Sequence, residues 1–445
     1  MNRKTRIDQV RRKIDKRALM WFGPRATDSI TLQEFSEFRG SFSIICPATP
    51  KDGVVDFCLE NHKGRRVDVN RYDIDRDHSL EAGMMHERLL RFLVEPSVIV
   101  PYRPSAFIGA VWFPRQGSAA YWGMFHLKQA AFEYKPWVES CLSEKGIQTL
   151  PWRYYENGAI SNFLREAGDD PVVLRINRGS GGAGVVLARV PSDVEKFCHD
   201  NEDGFFSATP YLEGAISLSI GAVVFPGGET FTDPLGFQLL GIPQCTHRPF
   251  GFCGTDFAAA KDLPDDCIDA VETMVRKTGQ WLRQAGYLGV FGLDVLWVNG
   301  DLYLVEVNPR FIASSPLAAR GAKMLGWSDL YIEHMAAMSG LSPLKPRPLR
   351  EIVEEQASLS QIIFYNRSDV LLQRRGELAA LPDMSIVELP ERSTVVEPEG
   401  ELFRLVVRGR ATRDGYSLLP NLAEAAEGMV NTWITGDQQT PSATG

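Results

Sequence analysis

Two strongly apolar runs, Val290–Val298 and Leu302–Val307, flank Asn299-Gly300-Asp301, and no other stretch constrains the fold as tightly. Asn-Gly between such runs signals a tight β-hairpin, because both turn residues must take positive φ. Polar side chains interrupt the two strands at Asp294, Glu306 and Asn308. Glu306 and Asn308 are two apart and project from one face of a strand. The tight turn can set Asp294 opposite Glu306. The flanking Val295, Trp297, Val305 and Val307 predict that both faces are covered. A covered carboxylate cluster is costly unless something positive neutralises it. Hard oxygen donors of this kind suit Mg²⁺, which takes one or two carboxylates, substrate phosphates and waters, and two ions can share Glu306.

Upstream, Gly179-Ser-Gly-Gly-Ala-Gly184 fits GxGxxG. A dinucleotide-binding fold needs a helix directly after those glycines, whereas Val185–Val190 reads as a strand. A glycine loop between two strands is instead a flap whose backbone N–H groups can approach phosphate oxygens. The spacing also fits the protein-kinase loop, but the chain has neither HRD nor DFG, so a protein kinase is excluded.

The surrounding chain reads as α/β. Residues 18–115 mix short apolar runs with turn signals: Ser97–Val100 reads as a buried strand and Met84–Leu93 has helical spacing. Lys128–Lys145 reads as a helix interrupted near Pro136, and Asp265–Ala285 as an amphipathic helix stopped by Gly286. Gly227–Gly254, rich in Gly, Pro and Cys, reads as a long loop. New strands are expected near Gln361–Tyr365 and Leu402–Val407, and 436–445 as a disordered polar tail. Met1–Arg17 carries eight basic residues against two aspartates and reads as a solvated amphipathic helix.

Composition narrows the function class. A net charge of −8 over 445 residues gives no global attraction to nucleic acid or to an anionic membrane. No segment approaches a membrane span, and the amino terminus lacks the apolar core of a signal peptide. Seven cysteines without a CxxC pair point to a reducing cytoplasm rather than a disulfide framework or a thiolate zinc site.

The glycine flap, the bend at Tyr211-Leu-Glu-Gly214, the Asp294 strand and the Glu306-x-Asn-Pro-Arg310 strand, in that order, resemble the ATP-grasp superfamily over about residues 117–335. The resemblance implies an α+β ATP-grasp core at 117–342, with a flap subdomain at about 150–215. An amino-terminal α/β domain (1–116) and a small carboxy-terminal domain (343–435) flank it. ATP would lie between two subdomains, and an acyl phosphate would form and be attacked by an amine.

Position by position, the resemblance implies that Lys128 reaches the nucleotide phosphates. Arg175 stands where the family usually has lysine and would contact phosphate or the adenine edge. Gly181 and Gly182 would lie over the phosphates, Tyr211 and Leu212 would face the adenine edge, and Glu213 is the nearest candidate for the ribose. Asp294, Glu306 and Asn308 match the Mg²⁺ ligands, and Arg310 the arginine that stabilises the phosphorylated intermediate.

The expected function is therefore a carboxylate–amine ligase. It would act on small-molecule carboxylates and amines, among them amino acids or peptides as in ligases of the pheganomycin type, with a homodimer allowed. His247, Arg248 and His334 are candidates for the acceptor pocket, set against ordinary surface or packing roles. A catalytically silent nucleotide-binding regulator and a small-molecule kinase on the same fold are the alternatives.

Overall fold

The computed structural model describes residues 2–46, 53–159, 163, 170–201, 204–378 and 382–435; the tail expected to be disordered lies outside them. The predicted hairpin forms as the strands Gly289–Val298 and Asp301–Asn308, with Asn299 at φ 52° and Gly300 at φ 88° in the turn. It makes one end of an eight-stranded sheet. From that end the order is Asp301–Asn308, Gly289–Val298, Ile216–Val224, Thr230–Leu240, Phe252–Asp256, Leu359–Tyr365, Glu401–Arg408 and Met384–Val387. The sheet thus runs across the boundary expected at 342/343.

Helices cover both faces. Helix Asp265–Gln284 buries Cys267, Ile268, Val271, Val275 and Leu282 against Leu218, Ile220, Leu235 and Phe291. On the other face, Leu330, Tyr331 and Met335 of helix Leu330–Met338 pack with Val223, Phe225 and Val290. Each fully buried aliphatic or aromatic side chain here contributes about 1.5–3 kcal/mol, so the two layers hold the hairpin in register from both sides.

Two expectations need correction. The stretch 227–254 is not one long loop: Thr230–Leu240 is a strand, and only 241–251 lies between it and Phe252–Asp256. Pro234 hid it, but Pro234 falls where pairing with Ile216–Val224 is interrupted, between Thr232 and Leu235, so the missing N–H breaks no ladder bond. The amino-terminal helix, Arg3–Ile14, is docked rather than solvated. Ile7, Val10 and Ile14 are buried, and Arg6 forms a fork with the buried Glu333. The interruption expected near Pro136 is present: 128–145 forms two helices, His126–Phe132 and Lys135–Glu144, because Pro136 can sit only in the first turn of the second.

A five-stranded parallel sheet precedes the large one, in the order Val55–Cys58, Phe38–Ile45, Ala18–Arg25, Ser97–Pro101 and Ala119–Tyr121. A four-stranded antiparallel sheet carries the glycine loop: Arg153–Glu156, Phe205–Pro210, Val172–Ile176, Val185–Ala188. All seven cysteines are free. Among the described residues no helix is long and apolar enough to cross a membrane.

Candidate functional site

The hairpin register places Asp294 directly opposite Glu306 and Gly292 opposite Asn308. Two carboxylates therefore face each other on one surface of the sheet, as the turn predicts. Asn308 Nδ2 donates to Asp294 Oδ2 at 3.0 Å, and Gln238 Nε2 donates to Asp294 Oδ1 at 2.9 Å. Burial first, and the facing Glu306 second, push Asp294 up to about 6. That is the signature of like charges waiting for a counter-charge. Among the described residues no three His, Cys, Asp or Glu side chains converge, so the charged oxygen donors at this point are two carboxylates, with the Asn308 and Gln238 amides and the Ser219 hydroxyl beside them. A set this sparse suits a cation that brings other oxygen ligands with it, as Mg²⁺ does.

Two cations meet the pair. Lys135, at the start of helix Lys135–Glu144, sets Nζ 3.1 Å from Glu306 Oε1. Its ammonium also reaches the Gly179 carbonyl of the glycine loop at 3.5 Å. Arg310 donates to Asn308 Oδ1 at 3.0 Å, to the Tyr102 hydroxyl at 3.2 Å and to Ser180 Oγ at 3.4 Å. The glycine loop thus rests against both cations.

Its glycines are required by geometry. Gly181 and Gly182 have φ of 59° and 76°, and a Cβ on Gly182 would lie 2.1 Å from the Phe250 carbonyl oxygen. Phe252 N–H donates to the Gly181 carbonyl at 3.3 Å, so the loop is seated on the 241–251 segment. That segment is itself tied down by Arg248, which bonds Asp68 at 2.5 Å and Glu399 at 3.2 Å.

Other expected residues stand elsewhere. Lys128 is exposed on helix His126–Phe132, close to Gly286 rather than to the carboxylate pair. One turn and a helix break separate it from Lys135, the lysine that does reach Glu306. Sequence reasoning missed Lys135; its signal was a lysine directly before the helix-starting Pro136. Arg175 is buried and turned away from the pair. Its guanidinium pairs with Glu139, donates to the Val305 carbonyl at 3.1 Å and stacks 3.5 Å over the Trp152 ring. It clasps the four-stranded sheet to the edge of the large one.

Tyr211, Leu212 and Glu213 form the link between Phe205–Pro210 and Ile216–Val224, with Tyr211 and Glu213 exposed. His334 is a packing residue. Its Nδ1 accepts from Val290 N–H at 3.1 Å and its Nε2 bonds the Trp122 carbonyl at 2.9 Å, while burial lowers it to about 4. His247 is exposed.

Residues 139–314 match the family described as the ATP-grasp domain. Solved structures with similar folds extend over nearly the whole chain. The biotin carboxylase domain of 2-oxoglutarate carboxylase from Hydrogenobacter thermophilus, in complex with MgADP, ADP and bicarbonate, superposes with a TM-score of 0.62 at 11% identity, covering 94% of this chain and 90% of that one. Biotin carboxylase from Campylobacter jejuni gives 0.62 at 12% identity, with 94% and 92% covered. N5-carboxyaminoimidazole synthetase from Staphylococcus aureus, complexed with ADP, gives 0.55 at 12% identity, with 93% and 96% covered. No curated protein sequence matches the chain.

Proposed function

On the premise that this chain has the ATP-grasp fold and carries an ATP-grasp domain at 139–314, we propose that it is an ADP-forming ligase joining a carboxylate to an amine. The observation that carries this reading is the opposition of Asp294 and Glu306, with Lys135, Asn308 and Arg310 converging on that pair beneath a glycine flap.

Asp294, Glu306 and Asn308 would hold one or two Mg²⁺ ions, which when bound neutralise triphosphate charge. Lys135 would orient the phosphates in the role expected of Lys128. Gly181 and Gly182 would close over them, Tyr211 and Leu212 would face the adenine, and Glu213 the ribose. Arg175 acts through the fold, by fixing the distance between the two sheets.

Phosphoryl transfer needs positioning and charge neutralisation more than a protein nucleophile. A substrate carboxylate oxygen attacks the γ-phosphorus and ADP leaves. The amine then adds to the acyl carbon, loses a proton, and inorganic phosphate departs. Arg310, held by Asn308 and Tyr102, would stabilise the acyl phosphate and the oxyanion.

For substrates we favour amino acids or short peptides, as in ligases of the pheganomycin type. The 241–251 segment, seated against the glycine loop, is the part of the site from which such a preference would come. The free cysteines fit a cytoplasmic enzyme, and the dimer formed by that domain makes a homodimer our working assembly.

The test is ADP release with Mg²⁺ and ATP, supplying amino acids and short peptides singly and in pairs. Release that needs both a carboxylate and an amine supports the ligase. Release with a single alcohol, leaving a stable phosphate ester, would make the protein a kinase. Silence across all pools would leave a nucleotide-binding regulator.

A further inference from the structure

A second recess lies farther along the same strands. Along Ile216–Val224, Ser219 pairs with Asp294 and Ala222 with Thr232, and Leu330 packs on Gly221 between them. Beyond Leu330 opens a cleft of about 2240 Å³. Its walls are the amino-terminal helix, the first residues of Thr230–Leu240, helix Asp265–Gln284 and the proline-rich 341–348 segment. None of Asp294, Glu306, Asn308 or Arg310 lines it.

Asp233 lines this cleft at 3% exposure, and among the described residues it makes no hydrogen bond or ion pair. Burial, and the charge of nearby Asp329, hold it well above the usual carboxylate range. Asp329 cannot relieve it: that carboxylate is acidic too, and Arg3, Thr31 and the N–H groups of Tyr331 and Ile332 already engage it. Arg6, one of the wall cations, is committed to Glu333. A buried carboxylate without a partner is costly, and a bound cation relieves the cost.

The rim argues against a simple cation. Seven basic and five acidic side chains line the cleft. Of the basic ones, Arg12, Lys13 and Arg276 are exposed and take part in no ion pair among the described residues. A bare dication would meet a repulsive rim before it reached Asp233. A molecule carrying both charges would not. The strand Thr230–Leu240 pairs with Phe252–Asp256 only from Phe237 onward, which leaves main-chain groups of its first residues available as well.

We propose that this cleft is a second binding site, for a small zwitterion whose ammonium pairs with Asp233 and whose acid group is held by the rim cations. The site is independent of the ligase reading, because it shares no residue with the carboxylate pair.

The test is calorimetric titration of the full chain without nucleotide, using three six-carbon probes: 6-aminohexanoate, 1,6-diaminohexane and hexanoate. The zwitterion should bind at least about tenfold more tightly than either of the others. Asp233→Asn should weaken it by about tenfold or more, and Glu306→Gln should leave it unchanged. Arg276→Glu, on an exposed position, should weaken it too, which keeps the test open should the Asp233 variant fail to fold. Equal binding to Asp233→Asn, hexanoate binding as tightly as the zwitterion, or no binding of the zwitterion would overturn the proposal. Loss of binding in Glu306→Gln would also overturn it, by placing the probe at the carboxylate pair.

Discussion

Lys135 Nζ stands 3.1 Å from Glu306 Oε1, joining a helix start to the strand that bears the acidic pair. Lys128, seven residues earlier in the chain, faces solvent beside Gly286. The two lysines therefore let the proposed role in phosphate binding be tested against a surface charge. Lys135→Ala should cut ADP release by roughly 10²-fold or more, the cost of removing a preorganised charge from a transition state. Lys128→Ala should stay within about twofold, the range of surface changes worth less than ~0.5 kcal/mol. Equal losses in both would return the role to Lys128.

Magnesium should stabilise the fold in a pH-dependent way. Asp294 is raised to about 6, so the folded protein holds a proton there that the unfolded chain has already lost. Between the two values stability falls as pH rises, and the full cost is present above about pH 6. Added MgCl₂ should therefore raise Tm more at about pH 7.5 than at about pH 5, where the proton already removes the Asp294 charge. Asp294→Asn should flatten that difference. A magnesium shift that is the same at both pH values would remove Asp294 from the metal site.

Arg310→Lys keeps the charge but loses the fork that reaches Asn308, Tyr102 and Ser180 together. Turnover should fall by about 10²–10³-fold with little change in the KM for ATP, as for loss of an oxyanion donor. A rise in KM alone would mean that Arg310 serves nucleotide binding instead.

Gly182→Ala tests the flap. A Cβ there collides with the Phe250 carbonyl oxygen, and φ is already 76°. The substitution should unseat the loop from the 241–251 segment, so that turnover drops while chemical denaturation changes by no more than about 1–2 kcal/mol. Unchanged turnover would show that the seated loop has no part in the reaction.

The docked amino-terminal helix makes a stability prediction. Arg6→Ala strands the buried Glu333 carboxylate, and unfolding in urea should reveal a loss of about 3–5 kcal/mol. A loss below ~1 kcal/mol, typical of surface pairs, would mean that the helix is solvated after all.

What could be read from the chain was local. Asn299-Gly300 with alternating apolar flanks fixed the hairpin, and the two-residue spacing of Glu306 and Asn308 fixed their shared face. Gly181 and Gly182 were legible because positive φ has few other owners. What stayed hidden depended on partners remote in sequence. Lys128 and Lys135 both sit in helix-forming sequence, and only the break at Pro136 decides which one faces the sheet. Arg175 looked like a phosphate ligand because Glu139 and Trp152, its actual partners, carry no pattern that links them to it. The strand Thr230–Leu240 was masked by Pro234, whose harmlessness depends on an interrupted ladder.

The Arg175 clasp has a mechanical consequence. With its guanidinium fastened to Glu139, to the Val305 carbonyl and to the Trp152 ring, the loop-proximal end of the Val172–Ile176 and Val185–Ala188 pair is pinned to the large sheet. Displacement is then left to the loop beyond the clasp, at Gly179–Gly184, which is held among the described residues by Lys135, by Arg310, by the Phe252 N–H and by the seat on Phe250. For a nucleotide bound beneath the loop as proposed, the tip would lift while Arg175 keeps the Val172–Ile176 strand tied to the Glu306 strand.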